Sequence, residues 1–134
     1  MALQSFCAFK KDHQYIKLVR SEKELTSLKH SFNGTIDCTA ELDGQLILAD
    51  WKTAAAKEKE KPTIYDEYLY QVAAYVYLYN EINGTNINKA IIVSIAKDKV
   101  AYNTHIMDKE EIEGCFNEVF LSALKILTYQ KKEK

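Results

Sequence analysis

The dipeptide Asp43-Gly44 constrains the fold more than any other feature of the sequence. It lies between two segments with strand character, TIDCTAEL and QLILADWK, and Asp-Gly between such segments is typical of a two-residue hairpin turn. The sequence therefore predicts an antiparallel hairpin over residues 34–52. The apolar run at residues 46–49 predicts that its second arm is buried.

The rest of the chain predicts a mixed sheet flanked by helices, of the α/β or α+β class. Residues 5–13 are ambiguous between a short helix and the end of one, and residues 14–22 alternate as a strand. A second extended stretch is expected over residues 23–32, followed by a turn at Asn33-Gly34. Residues 53–62 are polar and charged, which favours a mobile loop closed by Pro62.

Helical spacing of apolar residues predicts a helix over residues 64–82, with Thr63 as a weak cap and Asn83-Gly84 as its end. Residues 88–98 predict a buried strand that pairs with residues 99–107. Asp108 is expected to cap a final amphipathic helix. Its apolar face comprises Ile112, Phe116, Val119, Phe120, Ala123, Leu124 and Leu127.

The composition excludes few functions. The 134 residues suit one domain, and the net charge of −1 gives no support for a strongly basic nucleic-acid binder without excluding a local basic patch. No apolar run approaches a membrane span, and the first residues do not have the pattern of a secretory signal. Cys7, Cys38 and Cys115 are odd in number and widely spaced, which indicates reduced thiols and an intracellular protein, cytoplasmic or phage-encoded in a host cell.

The hairpin brings charged residues to one end. Counted from the turn, Asp37 and Asp50 lie at similar distances, and Lys52 shares a strand face with Asp50. Two close carboxylates repel, so a divalent cation is the natural partner, and carboxylate oxygens suit Mg²⁺ or Mn²⁺. The alternative is that both aspartates are exposed strand-end residues and Lys52 forms a surface ion pair. The pairing register decides between the two interpretations.

The segment GTIDCTAELDGQLILADWKT, followed by QVAAY, resembles the PD-(D/E)xK nuclease superfamily in its RecB-like exonuclease branch. That branch has G-x-x-D on one strand, D-x-K-T on the next and Q-x-x-x-Y on the following helix. The spelling GTID…LADWKT and the segment IIVSIAKDKVAYNTHIMD are most similar to a group of mitochondrial, phage and bacterial exonucleases. The resemblance implies a restriction-endonuclease-like fold and one nuclease core domain over residues 1–134, with the family's N-terminal helical segment short or missing.

The resemblance also implies roles for individual residues. Asp37, Asp50 and Lys52 would be catalytic, with the two aspartates and the carbonyl of Trp51 as metal ligands. Glu22 is a possible further ligand, although it is equally well explained as a surface residue, and Glu24 competes for the role. Gln71 and Tyr75 would contact substrate near the scissile phosphate. The alternative for Tyr75 is a core aromatic, whereas Gln71 within an apolar run is harder to explain that way.

Other polar residues receive no functional role. His13 and His30 are interpreted as surface histidines, Glu41 as structural, and His105 stays unassigned. The cysteines do not match the iron–sulfur members of the superfamily, so no cluster is predicted.

The predicted function is a Mg²⁺- or Mn²⁺-dependent deoxyribonuclease. It would be an exonuclease on single-stranded or end-bearing DNA, with a role in replication, recombination or repair. An endonuclease of the same fold, restriction-like or junction-resolving, and a catalytically silent nucleic-acid-binding subunit remain open. In the family the N-terminal helical segment helps to form the passage for DNA. A homo-oligomer or partner subunit could supply that part of the passage here. Lys57, Lys59 and Lys61 could supply local positive charge, although a solvated linker is the preferred interpretation of this loop.

Overall fold

The computed structural model describes residues 1–30 and 32–132, without the side chains of residues 20–23 and 132. Within these residues, five strands form one mixed sheet in the order β1-β2-β3-β4-β5. Neighbouring strands are antiparallel except β3 and β4, which are parallel. The predicted mixed sheet flanked by helices is confirmed. The strands are β1 (Lys17–Ser27), β2 (Phe32–Leu42), β3 (Gln45–Ala54), β4 (Ala90–Ala96) and β5 (Tyr102–Met107).

Helices and strands follow one another in the predicted order, with α2 between β3 and β4 and the last helices after β5. The first segment, ambiguous in sequence, is helical. The helices are α1 (Ala2–Asp12), α2 (Asp66–Asn83), α3 (Lys109–Gly114) and α4 (Leu121–Lys132), with a π-helical segment (Cys115–Phe120) between the last two. Among the described residues, none of these helices has the length and apolar character that crossing a membrane requires.

The predicted hairpin joins β2 to β3. Leu42 pairs with Gln45, and the two residues between them both have positive φ, 51° for Asp43 and 76° for Gly44. Positive φ at both central positions is the conformation of a type I′ turn, which matches the twist of the flanking strands. The register of the hairpin therefore follows directly from the turn.

Each face of the sheet carries its own core. Ile47 and Ala49 of β3 belong to the cluster that includes Phe9 of α1. Leu48, between them, belongs to the cluster that includes Val72 and Val76 of α2. All seven residues of β4 are buried, as expected for a central strand with a parallel neighbour and covered on both faces.

The structure corrects the predicted boundaries around β1. Residues 17–27 form one strand, and the turn lies at residues 28–30 instead of at Asn33-Gly34. Gly34 pairs with Leu25 inside the ladder. A glycine at this position allows close packing, because a Cβ there would lie 2.7 Å from Cε1 of Tyr75.

The predicted N-cap of α2 is wrong, whereas its predicted end is confirmed. The helix begins at Asp66, and Tyr65 at the cap position makes no side-chain capping bond. The hydroxyl of Thr63 instead accepts a hydrogen bond from Nζ of Lys59 at 2.9 Å. Gly84 ends the helix with a φ of 63°, the left-handed conformation common after a helix.

The loop between β3 and α2 has fixed anchors, which the expectation of a mobile loop did not include. The carboxylate of Asp98 accepts hydrogen bonds from the backbone N–H groups of Ala56 at 2.9 Å and Lys57 at 2.8 Å. Nδ2 of Asn103 donates to the carbonyl of Pro62 at 3.1 Å. The loop is therefore held against the β4–β5 turn and β5.

The predicted face of the final helix holds only in its first half. Oδ1 of Asp108 accepts from the N–H of Glu111 at 2.9 Å, which confirms the cap, and Phe116 is buried and stacked on Tyr77. Phe120 still packs on the core and against Phe32, but Val119 is 36% exposed and Leu127 is 52% exposed, so the single apolar face is wrong at Val119 and beyond Phe120. The π-helical segment explains the difference, because a wider turn rotates the following residues away from the core.

Candidate active site

The open end of the β2–β3 hairpin brings Asp37 and Asp50 together. The outermost ladder pair of the hairpin is Cys38 with Ala49, and the two aspartates occupy the next position on each strand. Oδ2 of Asp37 accepts a hydrogen bond from the backbone N–H of Trp51 at 3.0 Å. The carboxylate thus bonds to β3 where the backbone ladder has stopped. The register that the sequence left open has the two acids facing each other.

The two strands part at Asp37. β2 pairs with β1 along both halves of its length, but it pairs with β3 only from Cys38 onwards. Ile36 belongs to the core under α2, whereas Cys38 belongs to the core under α1, although residues two apart on a strand normally share a face. The alternation is therefore broken at Asp37. This break lets its side chain turn toward β3.

Asp50 is a buried carboxylate with an unusual environment. It is 1% exposed, and its Oδ2 lies 3.2 Å from Nζ of Lys52 without forming a well-directed hydrogen bond. Burial raises the pKa of Asp50 to about 7; the Lys52 ammonium opposes this rise and the Asp37 carboxylate adds to it. A buried carboxylate oxygen without a hydrogen bond is costly, so this atom is suited to a further cationic partner.

Lys52 links the strand site to α2. Its Nζ donates a hydrogen bond to Oε1 of Gln71 at 2.5 Å and lies 5.3 Å from the ring centroid of Tyr68. Gln71 is exposed on α2, so its amide is directed at Lys52 by this bond and not by core packing. The ammonium is held by a carboxylate, an amide oxygen and an aromatic face, all within contact distance.

Tyr75 is a core-packed aromatic residue, as the alternative interpretation expects, and its phenol belongs to the same helix face as Gln71. Its ring packs on the core under α2 and touches the position of Gly34. Burial raises the pKa of its phenol, and the charges of Asp50 and Asp37 raise it further. The hydroxyl therefore stays protonated near the two carboxylates and can donate a hydrogen bond. Gly34 and Tyr75 are in close contact although they lie far apart in sequence.

The residues present fit a divalent cation with few protein ligands. Among the described residues, no group of three or more His, Cys, Asp or Glu side chains surrounds one point. Two carboxylates do meet, one of them with an oxygen that lacks a hydrogen bond. Mg²⁺ is commonly held by one or two carboxylates, with water and substrate phosphate completing its shell. This donor set matches that pattern.

Glu22 and Trp51, the other two predicted ligands, lie on the strands that flank and carry the aspartates. The backbone of Glu22 lies in β1 between the pairs Ser21–Cys38 and Lys23–Ile36, and therefore beside Asp37 across the ladder. The side chain of Glu22 lies outside the described part of the chain. The indole of Trp51 packs edge-on against Phe6 at 5.3 Å, on the α1 face of the sheet. That contact anchors the backbone between the second aspartate and the lysine.

Several polar residues lie outside the site. His13 stacks on Phe9, and His30 packs edge-on against Phe116, which are structural contacts. His105 pairs with Glu111 of α3. Glu24 and Glu41 are exposed. Cys7, Cys38 and Cys115 lie on three different elements.

Tyr68 was missed from the sequence, although a usable signal was present. It lies three residues before Gln71, and residues three apart share a helix face. The nine tyrosines of the chain, several of them in α2, hid this one among candidates for the core. Its contact with Lys52 makes it part of the site.

Comparison with known proteins identifies the family of this chain. Residues 2–128 match the sequence model of the PD-(D/E)XK nuclease superfamily. The chain is 34% identical over 120 residues to mitochondrial genome maintenance exonuclease 1 of Xenopus tropicalis, covering 84% of this chain and 33% of that protein. It is 36% identical over 85 residues to the protein of the same name in Homo sapiens, covering 60% of this chain and 24% of that protein. The chain thus spans a third or less of the length of these relatives.

A solved structure shares the fold. The crystal structure of SSO0001 superposes with a TM-score of 0.53 over 96% of this chain and 57% of that chain. The identity is 16%, so the likeness concerns the fold alone.

Proposed function

We propose that this chain, which belongs to the PD-(D/E)XK nuclease superfamily, is a deoxyribonuclease that requires Mg²⁺ or Mn²⁺. It would act as an exonuclease on single-stranded or end-bearing DNA, in replication, recombination or repair. Residues 1–134 would form one nuclease core domain. The observation that supports this most is the meeting of Asp37, Asp50 and Lys52 at the open end of one hairpin.

Four groups would hold the metal. Asp37 and Asp50 offer carboxylate oxygens at the place where β2 and β3 part. The carbonyl of Trp51 and the carboxylate of Glu22 would complete the protein share of the ligands. A bound divalent ion would neutralise charge on the scissile phosphate and lower the pKa of a water molecule.

The chain's own residues would position the reacting groups. Lys52, held by Gln71 and Asp50, presents an ammonium at the site and can stabilise negative charge that builds on the phosphate. Asp37 is oriented by the backbone N–H of Trp51, which leaves its second oxygen for another partner. The raised pKa of Tyr75 keeps its hydroxyl protonated, so this residue can donate to a phosphate oxygen but does not act as a base at neutral pH.

Substitution of the lysine tests the proposal. With labelled linear single-stranded DNA and Mg²⁺ or Mn²⁺, Lys52→Ala should lower the cleavage rate by roughly 10²- to 10⁴-fold, the usual range for a group assisting proton transfer or charge stabilisation. Lys125→Ala is the matched control, because Lys125 is exposed on α4, a helix that contributes none of the residues of the site. Equal activity of both variants would remove Lys52 from the mechanism, and an inactive wild type would contradict the proposed activity.

Two further measurements separate the alternatives. A circular single strand that stays intact while the linear strand is degraded supports an exonuclease, whereas cleavage of the circle supports an endonuclease of the same fold. Calorimetry with Mn²⁺ should detect a site in the wild type that Asp37→Ala abolishes. The catalytically silent subunit predicts no such site and no cleavage.

A further inference from the structure

The last helix, α4, carries apolar residues that the described part of the chain leaves in solvent. Among the described residues, Leu121 is the last of this helix to pack on the core under α2. Further along, Ile126 is 61% exposed, and Ala123 and Leu127 are exposed as well. A helix of 12 residues has little stability of its own in water, because most helical stability in proteins comes from burying an apolar face. α4 therefore has a face that a partner can cover.

The exposed residues form one stripe. Its members lie four, seven, eight and eleven positions after the first, which is the spacing of residues on one face of a helix. All of them are exposed. We call this set the α4 stripe: Val119, Ala123, Ile126, Leu127 and Gln130. A continuous apolar surface of this kind differs from scattered single exposed residues and is typical of an interaction site.

Charge is segregated along the same run of helical residues. Residues 109–120 contain four glutamates and one lysine, whereas residues 121–132 contain three lysines and no acidic residue. If a second copy packs antiparallel, its basic end lies toward the acidic half of the first copy, and the two helix dipoles also oppose each other. A parallel pair would align like charges instead. The distribution of charge therefore favours a second copy of this chain, in antiparallel orientation, as the partner.

The side chains of the stripe are also complementary in size. The midpoint of residues 119–130 falls between Leu124 and Lys125. In an antiparallel pair centred there, Ala123 of one copy faces Ile126 of the other, and the small side chain leaves room for the large one. Val119 faces Gln130 in the same way. Two-fold symmetry then repeats each contact, so the stripe satisfies the requirement that such an interface be self-complementary.

We infer that two copies of this chain associate through the α4 stripe as an antiparallel pair related by two-fold symmetry. This association goes beyond the proposed nuclease function and does not depend on it. Two helices of this length bury less surface than the roughly 1,200–2,000 Å² of a stable complex, so the association should be weak. The expected dissociation constant is about 10 μM to 1 mM.

Sedimentation velocity over that range of protein concentration tests the inference, because the wild type should pass from monomer to dimer. Ile126→Glu should raise the dissociation constant by at least about 10-fold, since each copy loses the burial of one isoleucine and gains a charge in the interface. Val100→Glu is the matched control. Val100 is 54% exposed and lies between β4 and β5, so this variant should associate like the wild type.

A pair of charges tests the orientation. Val119→Lys alone should weaken the association. Adding Gln130→Glu should restore part of it, because the new lysine and the new glutamate face each other across an antiparallel pair. In a parallel pair the two positions lie eleven residues apart, roughly 16 Å along the helix, and no recovery follows.

Three results would overturn the inference. A wild type that stays monomeric at every concentration leaves the stripe to a partner of another kind. A dimer as strong in Ile126→Glu as in the wild type uses another surface. A double variant with no recovery refutes the antiparallel pairing. Circular dichroism at low concentration shows whether Ile126→Glu keeps its helix content, and if that content falls, the recovery in the double variant decides.

Discussion

Replacing Gly34 with alanine should destabilise the protein and disturb its site together. A Cβ at this position would lie 2.7 Å from Cε1 and 2.9 Å from Cδ1 of Tyr75, and 3.1 Å from Cδ2 of Leu78. The first two distances are shorter than carbon atoms tolerate. Neither neighbour can retreat easily, because the contacts involve the side of an aromatic ring and a fully buried leucine.

The cost follows from the size of the overlap. One additional methyl group in a packed core costs about 1–3 kcal/mol, since side chains leave their preferred rotamers or the backbone shifts. For a chain of this length that corresponds to a fall in melting temperature of roughly 3–15 °C. If the ring of Tyr75 moves instead, the phenol leaves the two carboxylates. Cleavage should then fall in the variant that is still folded.

The assay is thermal and urea unfolding of Gly34→Ala beside Gly114→Ala. A Cβ at Gly114 meets nothing within 4 Å, and the residue is helical, so the control should be neutral or more stable by up to about 1 kcal/mol. The double variant Gly34→Ala with Tyr75→Ala should lose less stability than the sum of the single changes, because the overlap disappears. A Gly34→Ala protein as stable as the wild type, or additive losses in the double variant, would refute the close approach.

Two other predictions concern buried polar groups. Because burial raises the pKa of Asp50 to about 7, the folded protein holds this proton more tightly than the unfolded chain does. The contribution of the Asp50 carboxyl to the free energy of unfolding is therefore complete below about pH 4, and it is lost as the pH rises through about 7. The loss is at most about 4 kcal/mol, and urea unfolding of metal-free Asp50→Asn should show a flatter pH dependence. Ser5→Ala should cost about 1–3 kcal/mol in the same assay, because the buried hydroxyl bonds to Ala96 and Ala101 and ties α1 to the sheet, whereas the exposed Ser122→Ala should cost less.

The hairpin and the meeting of its charged residues could be predicted because each depends on local rules. Asp43-Gly44 specifies a turn whose geometry allows few registers, and counting outward from it brings Asp37 opposite Asp50. The period of two in a strand then assigns Lys52 to the same face as Asp50. The break of alternation at Asp37 lay outside those rules. It depends on where β2 stops pairing with β3, which is a property of the whole sheet.

The errors have a common physical cause. Gly34 reads as a turn residue, since glycine is most often used for its backbone freedom. Its role here is to leave room for a ring forty-one positions later, and that requires knowing how α2 crosses the sheet. The second half of the final helix was misjudged for a similar reason. A π-helical segment changes which residues face the core, and the spacing of apolar residues before it does not predict that change.

Asp50 is the residue at which this fold departs most clearly from the rules for a stable core. A core strand that ended in an apolar residue would avoid both the burial of a carboxylate and its repulsion from Asp37. The surrounding residues limit that cost without removing it, because Lys52 lies beside the carboxylate but leaves Oδ2 without a hydrogen bond. Local rules for a good core are broken at one place, and that place is where three elements converge. Such a departure is expected at a functional site, where a bound cation would offset the cost.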